Sequence, residues 1–137
     1  MNAQKKVKRI LVVDDQAVAR RVISGLLVEH GHVDLAENGQ DALSMYAEAI
    51  EDGWLYDLIC MDIEMPGLLD GNKTVKCIRL HEKKLSVVVP VPVVMISSHS
   101  DMRDLAESQG LNGASDYITK PFSQVRINEV INRYLQR

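Results

Sequence analysis

The sequence predicts an α/β fold with a doubly wound parallel sheet, and three observations lead to this class. Apolar runs of strand length alternate with segments of helical period along the whole chain. The runs are almost continuously apolar, as in residues 58–61, which is typical of strands covered on both faces of a parallel sheet. The composition, with 46% hydrophobic and 26% charged residues in 137 positions, suits one compact domain with a sizeable core.

The five expected strands follow one another at regular intervals along the chain. They are the apolar runs at residues 10–13, 33–36, 58–61, 91–96 and 117–118. In an open α/β sheet of five strands the flavodoxin-like order 2-1-3-4-5 is common, so we expect a (βα)5 arrangement with the first and third strands side by side. In such folds ligands bind in the crevice at the carboxyl ends of the strands, and the functional residues should be sought there.

The five expected helices are segments whose apolar residues recur at a spacing of three or four. Their apolar positions are Val18, Val22, Ile23, Leu26 and Leu27; Ala42, Leu43, Tyr46, Ala47 and Ile50; Val75 and Ile78; Met102, Leu105 and Ala106; and Ile127, Val130, Ile131, Tyr134 and Leu135. Each segment would bury one face against the sheet. The pair His30-Gly31 marks the end of the first helix, and Asn38-Gly39 marks the start of the second.

Charge and the amino-terminal segment exclude several functional classes. The formal net charge of −3 argues against a general nucleic-acid binder, which would carry a basic excess. The lysines near the amino terminus precede only four apolar residues, too few for a secretory signal or a membrane span. We expect a single cytoplasmic domain over residues 1–137, with a core of about 8–136 and a basic tail at 1–7, that binds neither nucleic acid nor membrane.

Polar side chains follow four of the five expected strands. They are Asp14 and Asp15 after the first strand, Asp62 after the third, Ser97 and Ser98 after the fourth, and Lys120 after the fifth. Taken singly, each has an ordinary explanation: Asp15 could be the N-cap of the first helix, and Asp62 a solvated loop acid. Taken together, three carboxylates at one edge would repel one another unless a cation compensates them. The sequence therefore indicates a divalent metal site.

The chemistry of such a site can be narrowed further. Oxygen ligands that leave positions open for water and a phosphoryl oxygen suit Mg²⁺ better than Ca²⁺. A metal beside a carboxylate and a lysine suits phosphoryl transfer, in which an aspartate can itself be the nucleophile. Asp62 stands alone on the central strand and is the predicted phosphoacceptor. The chain has neither GxxxxGK[ST] nor GxGxxG, which argues against ATP as the donor.

Several motifs, in order and spacing, resemble those of response regulator receiver domains of the chemotaxis-regulator (CheY-like) type. They are ILVVDDQ at 10–16, DLICMDIEMP at 57–66, DG at 70–71, PVVMISSHS at 92–100 and GASDYITKPF at 113–122. The resemblance implies that Asp62 is the phosphoacceptor. It also implies that Asp14, Asp15, Asp62 and the backbone carbonyl of Glu64 hold Mg²⁺, and that Lys120 pairs with the phosphoryl group.

The resemblance also implies a switch. Ser97 takes the place of the switch hydroxyl and Tyr117 that of the rotating aromatic, while Glu64 and His99 stand where the family tunes phosphoryl chemistry. A phosphoryl group on Asp62 would draw the Ser97 hydroxyl inward and change the face formed by the fourth helix, fifth strand and fifth helix. The alternatives are core packing for Tyr117 and a solvated loop histidine for His99.

The leading functional hypothesis is a phosphoacceptor switch of a two-component phosphorelay. A histidine kinase or histidine phosphotransfer protein would phosphorylate Asp62 with Mg²⁺, and the altered face would control a partner protein or output domain or support a phosphorylation-dependent homodimer. The chain would then be no enzyme beyond its own phosphorylation and dephosphorylation. The alternatives are a Mg²⁺-dependent phosphohydrolase with an aspartyl-phosphate intermediate, a receiver fragment of a hybrid kinase or transcription regulator, and a phosphorylation-independent adaptor.

Two stretches depart from the family pattern. The segment MPGLLDG at 65–71 has one residue more than the usual spacing, so the loop after Asp62 should bulge. The segment SVVVPVP at 86–92 is longer and more apolar than a helix-to-strand connection needs. It is either an early start of the fourth strand interrupted by proline or an exposed valine patch that docks another domain or subunit.

Overall fold

The computed structural model describes residues 7–98, 113–121 and 123–135. Its helices and strands, in chain order, are β1 (Arg9–Val13), α1 (Ala17–Leu27), β2 (His32–Ala36), α2 (Gly39–Asp52), β3 (Leu58–Asp62), α3 (Gly71–Lys84), β4 (Val93–Ser97), β5 (Asp116–Thr119) and the C-terminal helix α4 (Gln124–Leu135). A short 3-10 turn, Val28–His30, follows α1. The helix expected around residues 102–106, and His99, lie outside the described residues.

The sheet confirms the predicted fold class and strand order. Its five strands run in the order β2-β1-β3-β4-β5, and each neighbouring pair is parallel. In the register, Val12 pairs with Cys60 and Cys60 with Val94, so the apolar centres of the three inner strands lie side by side. Strands β1 and β3 are neighbours, and their carboxyl ends form the crevice that the strand order predicts.

The core has two layers because successive side chains of a strand point to opposite faces of the sheet. One layer includes Leu11 and Ile59 and is covered by residues of α2 and α3. The other layer includes Ile10 and Leu58 and is covered by residues of α1 and α4. Burial of the inner strands β1, β3 and β4 on both faces explains why apolar residues follow one another in them, rather than standing at alternate positions.

Helix α1 differs from its predicted orientation. Ile23 and Leu27 are buried as expected, but Val18 and Val22 are 72% and 53% exposed. The apolar spacing is compatible with both sides of the helix, and contact with β1 and β2 selects the side that carries Ile23 and Leu27. Two apolar side chains therefore remain at the surface.

Two of the helices, α2 and α3, begin at a residue whose side chain caps the helix. The side chain of Asn38 accepts a hydrogen bond from the backbone N–H of Asp41 at the start of α2, and Asp70 accepts one from Lys73 at the start of α3. Both are common N-cap residues. The N-cap of α1 is Gln16, which makes no side-chain capping bond, so the alternative that Asp15 caps this helix is wrong.

The connection from α3 to β4 is not an early strand. Strand β4 begins at Val93, and in the preceding segment Val88 and Val89 are 92% and 68% exposed. The segment is anchored at Val91, whose backbone N–H donates to the carboxylate of Glu82 at 2.7 Å. The early-strand interpretation is therefore wrong, and two valines are exposed at this connection.

Two of the predicted site residues lie within strands rather than after them. Asp62 is the last residue of β3 and Ser97 the last residue of β4. Strand termini are the least certain part of a sequence-based prediction, because a polar residue can still pair its backbone in the ladder.

As for membrane crossing, no helix among the described residues is both long and apolar enough to span a bilayer.

Candidate functional site

Three carboxylates meet at the carboxyl ends of β1 and β3. Asp14, Asp15 and Asp62 each offer a ligand oxygen, and these oxygens lie within 4.8 Å of one another. Asp14 is fully buried and Asp62 is 5% exposed, whereas Asp15 is the more accessible of the three. The carboxylates come together because β1 and β3 are neighbours in the sheet, although about fifty residues separate them in sequence.

Local hydrogen bonds fix Asp14. Its backbone N–H donates to the carbonyl of Ala36 at 3.1 Å, and its Oδ1 accepts from the backbone N–H of Gln16 at 2.9 Å. Arg20 donates from Nη1 to the main-chain carbonyl of Asp14 at 2.8 Å. The remaining oxygen, Oδ2, is buried and accepts no hydrogen bond from any residue that the structure describes.

Lys120 supplies the positive charge of the site. Its Nζ lies 3.5 Å from Oδ2 of Asp14 and 3.6 Å from Oδ1 of Asp62. The residue follows β5, and its backbone N–H donates to the carbonyl of Ser97 at 2.6 Å. The Lys120–Pro121 peptide bond is cis. The end of β4 thus positions the lysine that faces the carboxylates.

The surroundings raise the pKa of Asp62 to about 7. Desolvation by burial is the largest cause, and the charge of Asp14 adds to it. Lys120 acts in the opposite direction, while Asp15 raises the pKa further. Among the described residues, the single ammonium group of Lys120 faces three carboxylates, so negative charge exceeds positive charge in this part of the site.

This donor set fits a hard divalent cation. All three candidate ligands are carboxylates, and among the described residues the buried Oδ2 of Asp14 has the Lys120 ammonium at 3.5 Å but makes no hydrogen bond. Few protein ligands with open positions for water are typical of Mg²⁺ sites. A fourth predicted ligand is the backbone carbonyl of Glu64, two residues beyond Asp62. The Glu64 side chain is exposed and accepts a hydrogen bond from the Ser98 hydroxyl at 3.3 Å.

The two predicted switch residues have buried hydroxyls. Ser97 is 1% exposed, and its Oγ makes no hydrogen bond within residues 7–98, 113–121 and 123–135. Ser97 ends β4, and β4 is the neighbour of β3, which carries Asp62. In the register of these two strands Ile96 pairs with Asp62. Tyr117 is half-buried against the core, and its hydroxyl likewise has no hydrogen-bond partner in the described part of the chain. Burial raises the pKa of Tyr117, so this hydroxyl stays protonated.

Two residues next to the site were missed by sequence reasoning as site residues. A Cβ at Gly71 would lie 2.3 Å from the carbonyl oxygen of Asp62, so only glycine allows α3 to start this close to the site. The signal was present as the DG pair that ends the loop. Arg20 contacts the Asp14 carbonyl from the second turn of α1, and its sequence position alone gives no sign of this contact.

Comparisons with known proteins agree over nearly the whole chain. A family model described as response regulator receiver domain matches residues 10–132. The regulatory protein AtoC of Escherichia coli is 33% identical over 131 residues, which cover 95% of this chain but only 26% of AtoC. The chemotaxis protein CheY of Bacillus subtilis is 35% identical over 129 residues, which cover 93% of this chain and 97% of CheY.

A solved structure gives the same result. The crystal structure of the receiver domain of NtrX from Brucella abortus is similar to this fold with a TM-score of 0.75 and 33% sequence identity. The similarity covers 93% of this chain and 98% of that domain. Longer relatives such as AtoC contain much more chain than the matched part, since this chain spans about a quarter of AtoC's length.

Proposed function

Since this chain belongs to the response regulator receiver domain family of two-component signalling, we propose that it is a cytoplasmic phosphoacceptor switch that is phosphorylated on Asp62. The observation that carries the proposal is the position of the Asp62 carboxylate. It lies at the carboxyl end of a central strand, 3.6 Å from Lys120 and within 4.8 Å of the carboxylates of Asp14 and Asp15. A nucleophile, an ammonium group and a cation-binding cluster at one point are what phosphoryl transfer requires.

In this proposal Asp14, Asp15 and Asp62, with the backbone carbonyl of Glu64, hold Mg²⁺. When bound, the ion would neutralise charge on the phosphoryl oxygens during transfer. The buried Oδ2 of Asp14 supports this assignment because none of the described residues donates a hydrogen bond to it. The raised pKa of Asp62 supports it as well, since burial together with the charges of Asp14 and Asp15 outweighs the effect of Lys120.

The residues of the chain have distinct parts in the reaction. A carboxylate oxygen of Asp62 attacks the phosphorus of a phosphohistidine, the phosphorus–nitrogen bond breaks, and the leaving imidazole takes up a proton from water. The attacking oxygen must be deprotonated, and Lys120 favours that form because it lowers the pKa of Asp62. The same ammonium group then pairs with the phosphoryl oxygens.

Ser97 and Tyr117 are the proposed switch. A phosphoryl group adds about −1.5 to −2 charge and strong acceptor oxygens. The unpartnered Ser97 hydroxyl is a donor at the neighbouring strand end and would move towards these oxygens. Tyr117, whose hydroxyl makes no hydrogen bond to the described residues, would follow into the vacated space. The surface around β5 and α4 would change and be read by a partner protein or an output domain.

The phosphoryl donor would dock beside α1. A groove of about 400 Å³ runs along this helix to the site, and its lining is mostly apolar: Ala19, Val22, Ile23, Lys120 and Pro121. An apolar groove next to the phosphoacceptor suits a helix that carries a phosphohistidine, as in a histidine kinase or a histidine phosphotransfer protein. The exposed face of Val22 would be part of this contact.

The central test is phosphorylation by a small donor. Wild-type protein incubated with acetyl phosphate and Mg²⁺ should gain the mass of one phosphoryl group in intact mass spectrometry, and Asp62→Asn should gain none. Asp52→Asn, which removes an exposed carboxylate at the far end of α2, is the matched control and should react like the wild type. An adduct of undiminished size on Asp62→Asn would reject the phosphoacceptor assignment.

A second test separates donor docking from chemistry. Val22→Asp should slow transfer from a kinase or phosphotransfer protein that phosphorylates the wild type, while the rate with acetyl phosphate stays the same. Val28→Asp, a charge placed on another exposed valine just beyond α1, is the control. Equal slowing with both donors would show that Val22→Asp disturbs the phosphorylation site itself. If transfer from the kinase or phosphotransfer protein is not slowed, α1 is not part of the docking surface.

A further inference from the structure

Arg20 is a partly buried guanidinium beside the carboxylate cluster that the proposed reaction does not use. Its side chain is 13% exposed. Nη1 donates to the main-chain carbonyl of Asp14 at 2.8 Å, and Nη2 donates to Oε1 of Glu37 at 3.2 Å. The arginine thus connects α1, the end of β1 and the residue after β2.

The contact with the Asp14 carbonyl matters because this carbonyl belongs to the peptide unit that joins Asp14 to Asp15. The amino side of Asp14 is held by Ala36 and its side chain by the N–H of Gln16. Arg20 fixes the next peptide plane, and this plane sets the direction in which Asp15 leaves the strand. Asp15 is the most accessible of the three carboxylates, so packing constrains it least.

We propose that Arg20 is a positioning residue of the metal site, which holds the Asp14–Asp15 peptide so that the Asp15 carboxylate faces Asp14 and Asp62. The proposal rests on the proposed function, because it assigns a role towards the Mg²⁺ that those carboxylates hold. Groups that orient metal ligands from outside the ligand set commonly change metal affinity by about 10–100-fold when removed.

The sign of the effect distinguishes positioning from simple electrostatics. Arg20 carries a positive charge close to a cation site, so by charge alone its removal should strengthen Mg²⁺ binding. Loss of positioning should weaken it. The Glu37 carboxylate is 69% exposed, and a solvent-exposed ion pair contributes little, so breaking that pair should have a small effect.

The test is isothermal titration of the full 137-residue chain with MgCl₂. Arg20→Ala should bind Mg²⁺ about tenfold more weakly than the wild type. Glu37→Gln removes the ion pair but keeps the arginine and should stay within about twofold. Arg21→Ala removes an exposed neighbouring charge on α1 and should stay near the wild type. Far-ultraviolet circular dichroism verifies folding, and Arg20→Gln replaces Arg20→Ala if the latter does not fold.

A second readout reports the geometry without any reaction. In backbone NMR spectra, Mg²⁺ should shift the amide signals of Asp15 and Gln16 in the wild type at lower concentration than in Arg20→Ala. Unchanged or tighter Mg²⁺ binding by a folded Arg20 variant would overturn the positioning role alone. Absence of Mg²⁺ binding by the wild type, or full binding by Asp15→Asn, would overturn the metal site and this role together.

Discussion

The proton affinity of Asp62 follows from its neighbours rather than from the residue itself. Burial and the charge of Asp14 raise its pKa to about 7 from an ordinary value of 3.8. Between these two values the folded state binds more protons at this residue than the unfolded state does. The free energy of unfolding therefore falls as the pH rises from 3.8 to about 7. Above about pH 7 the protein has lost all of the stability that this proton uptake contributes.

Asp62→Asn should remove this loss of stability at high pH. In EDTA at pH 8 the variant should be more stable than the wild type by about 1–3 kcal/mol, because it removes a buried charge that repels two others. Well below pH 3.8 the carboxyl group is protonated in both states, and the gain from removing its charge should vanish. Urea unfolding followed by fluorescence of Trp54, the single tryptophan, measures both values.

Asp52→Asn serves as the control for this measurement, because its carboxylate is exposed at the far end of α2. Its stability relative to the wild type should be nearly independent of pH. A pH-independent effect of Asp62→Asn would contradict the raised pKa.

At the scale of elements, Glu82 connects four segments. It is 4% exposed and accepts hydrogen bonds from the Tyr46 hydroxyl of α2 and from the Val91 N–H before β4, at 2.8 and 2.7 Å. It also pairs with Arg79, whose guanidinium donates to the carbonyl of Gly113 before β5. A buried carboxylate is tolerated here because each oxygen is satisfied.

Glu82→Ala should lower the free energy of unfolding by about 3 kcal/mol, because it leaves the donors of Tyr46 and Val91 without this acceptor and removes the carboxylate that pairs with Arg79. Glu51→Ala, an exposed glutamate near the end of α2, should change it by less than about 0.5 kcal/mol. Denaturant titration measures both, and equal effects of the two substitutions would contradict the connecting role of Glu82.

The end of α3 contains a residue in an unfavourable conformation. Ser86 has a φ of 56°, and the backbone N–H groups of Ser86 and Val87 donate to the carbonyls of Lys83 and Glu82. This is the Schellman arrangement, in which the left-handed position is usually glycine. A serine there gives up stability that a glycine would keep.

Ser86→Gly should raise the free energy of unfolding by about 0.5–1 kcal/mol. The relief of left-handed strain, about 1–2 kcal/mol, exceeds the entropy that glycine adds to the unfolded chain, about 0.5–1 kcal/mol. Ser86→Ala keeps the Cβ and should give no gain. Thermal unfolding of the wild type and the two variants tests this explanation. An alanine variant as stable as the glycine variant would exclude backbone strain as the cause of the gain in stability.

At the scale of the whole molecule, ion binding and folding should be coupled. A ligand that binds only the folded state stabilises it, by about 2.7 kcal/mol at a concentration of 100 dissociation constants. Mg²⁺ should therefore raise the melting temperature of the wild type. The double variant Asp14→Asn, Asp15→Asn should show no such shift.

Calorimetry at fixed ionic strength, with KCl as the salt control, measures this effect. A Mg²⁺-dependent shift of equal size in the double variant would place the ion somewhere other than at these carboxylates.

The sequence alone predicted the strand order, the crevice and the identity of the acidic residues in it. It did so because apolar runs covered on both faces permit few sheet topologies, and because parallel strands bring their carboxyl ends to one edge. It did not predict the orientation of α1, where Val18 and Val22 are exposed, or the bounds of β4. The orientation of α1 and the first residue of β4 both depend on which of several similar apolar side chains packs into the core.

For this protein, the residue types and their order along the chain determined the family, the fold and the set of candidate ligands. Only the tertiary structure decided the distances and the environment, which require parts of the chain far apart in sequence to meet. The raised pKa of Asp62 needs the charge of Asp14 from another strand, and the contact of Arg20 with the Asp14 carbonyl needs α1 packed against β1. Burial, charge coupling and positioning are properties of neighbours in space, and local sequence does not specify them.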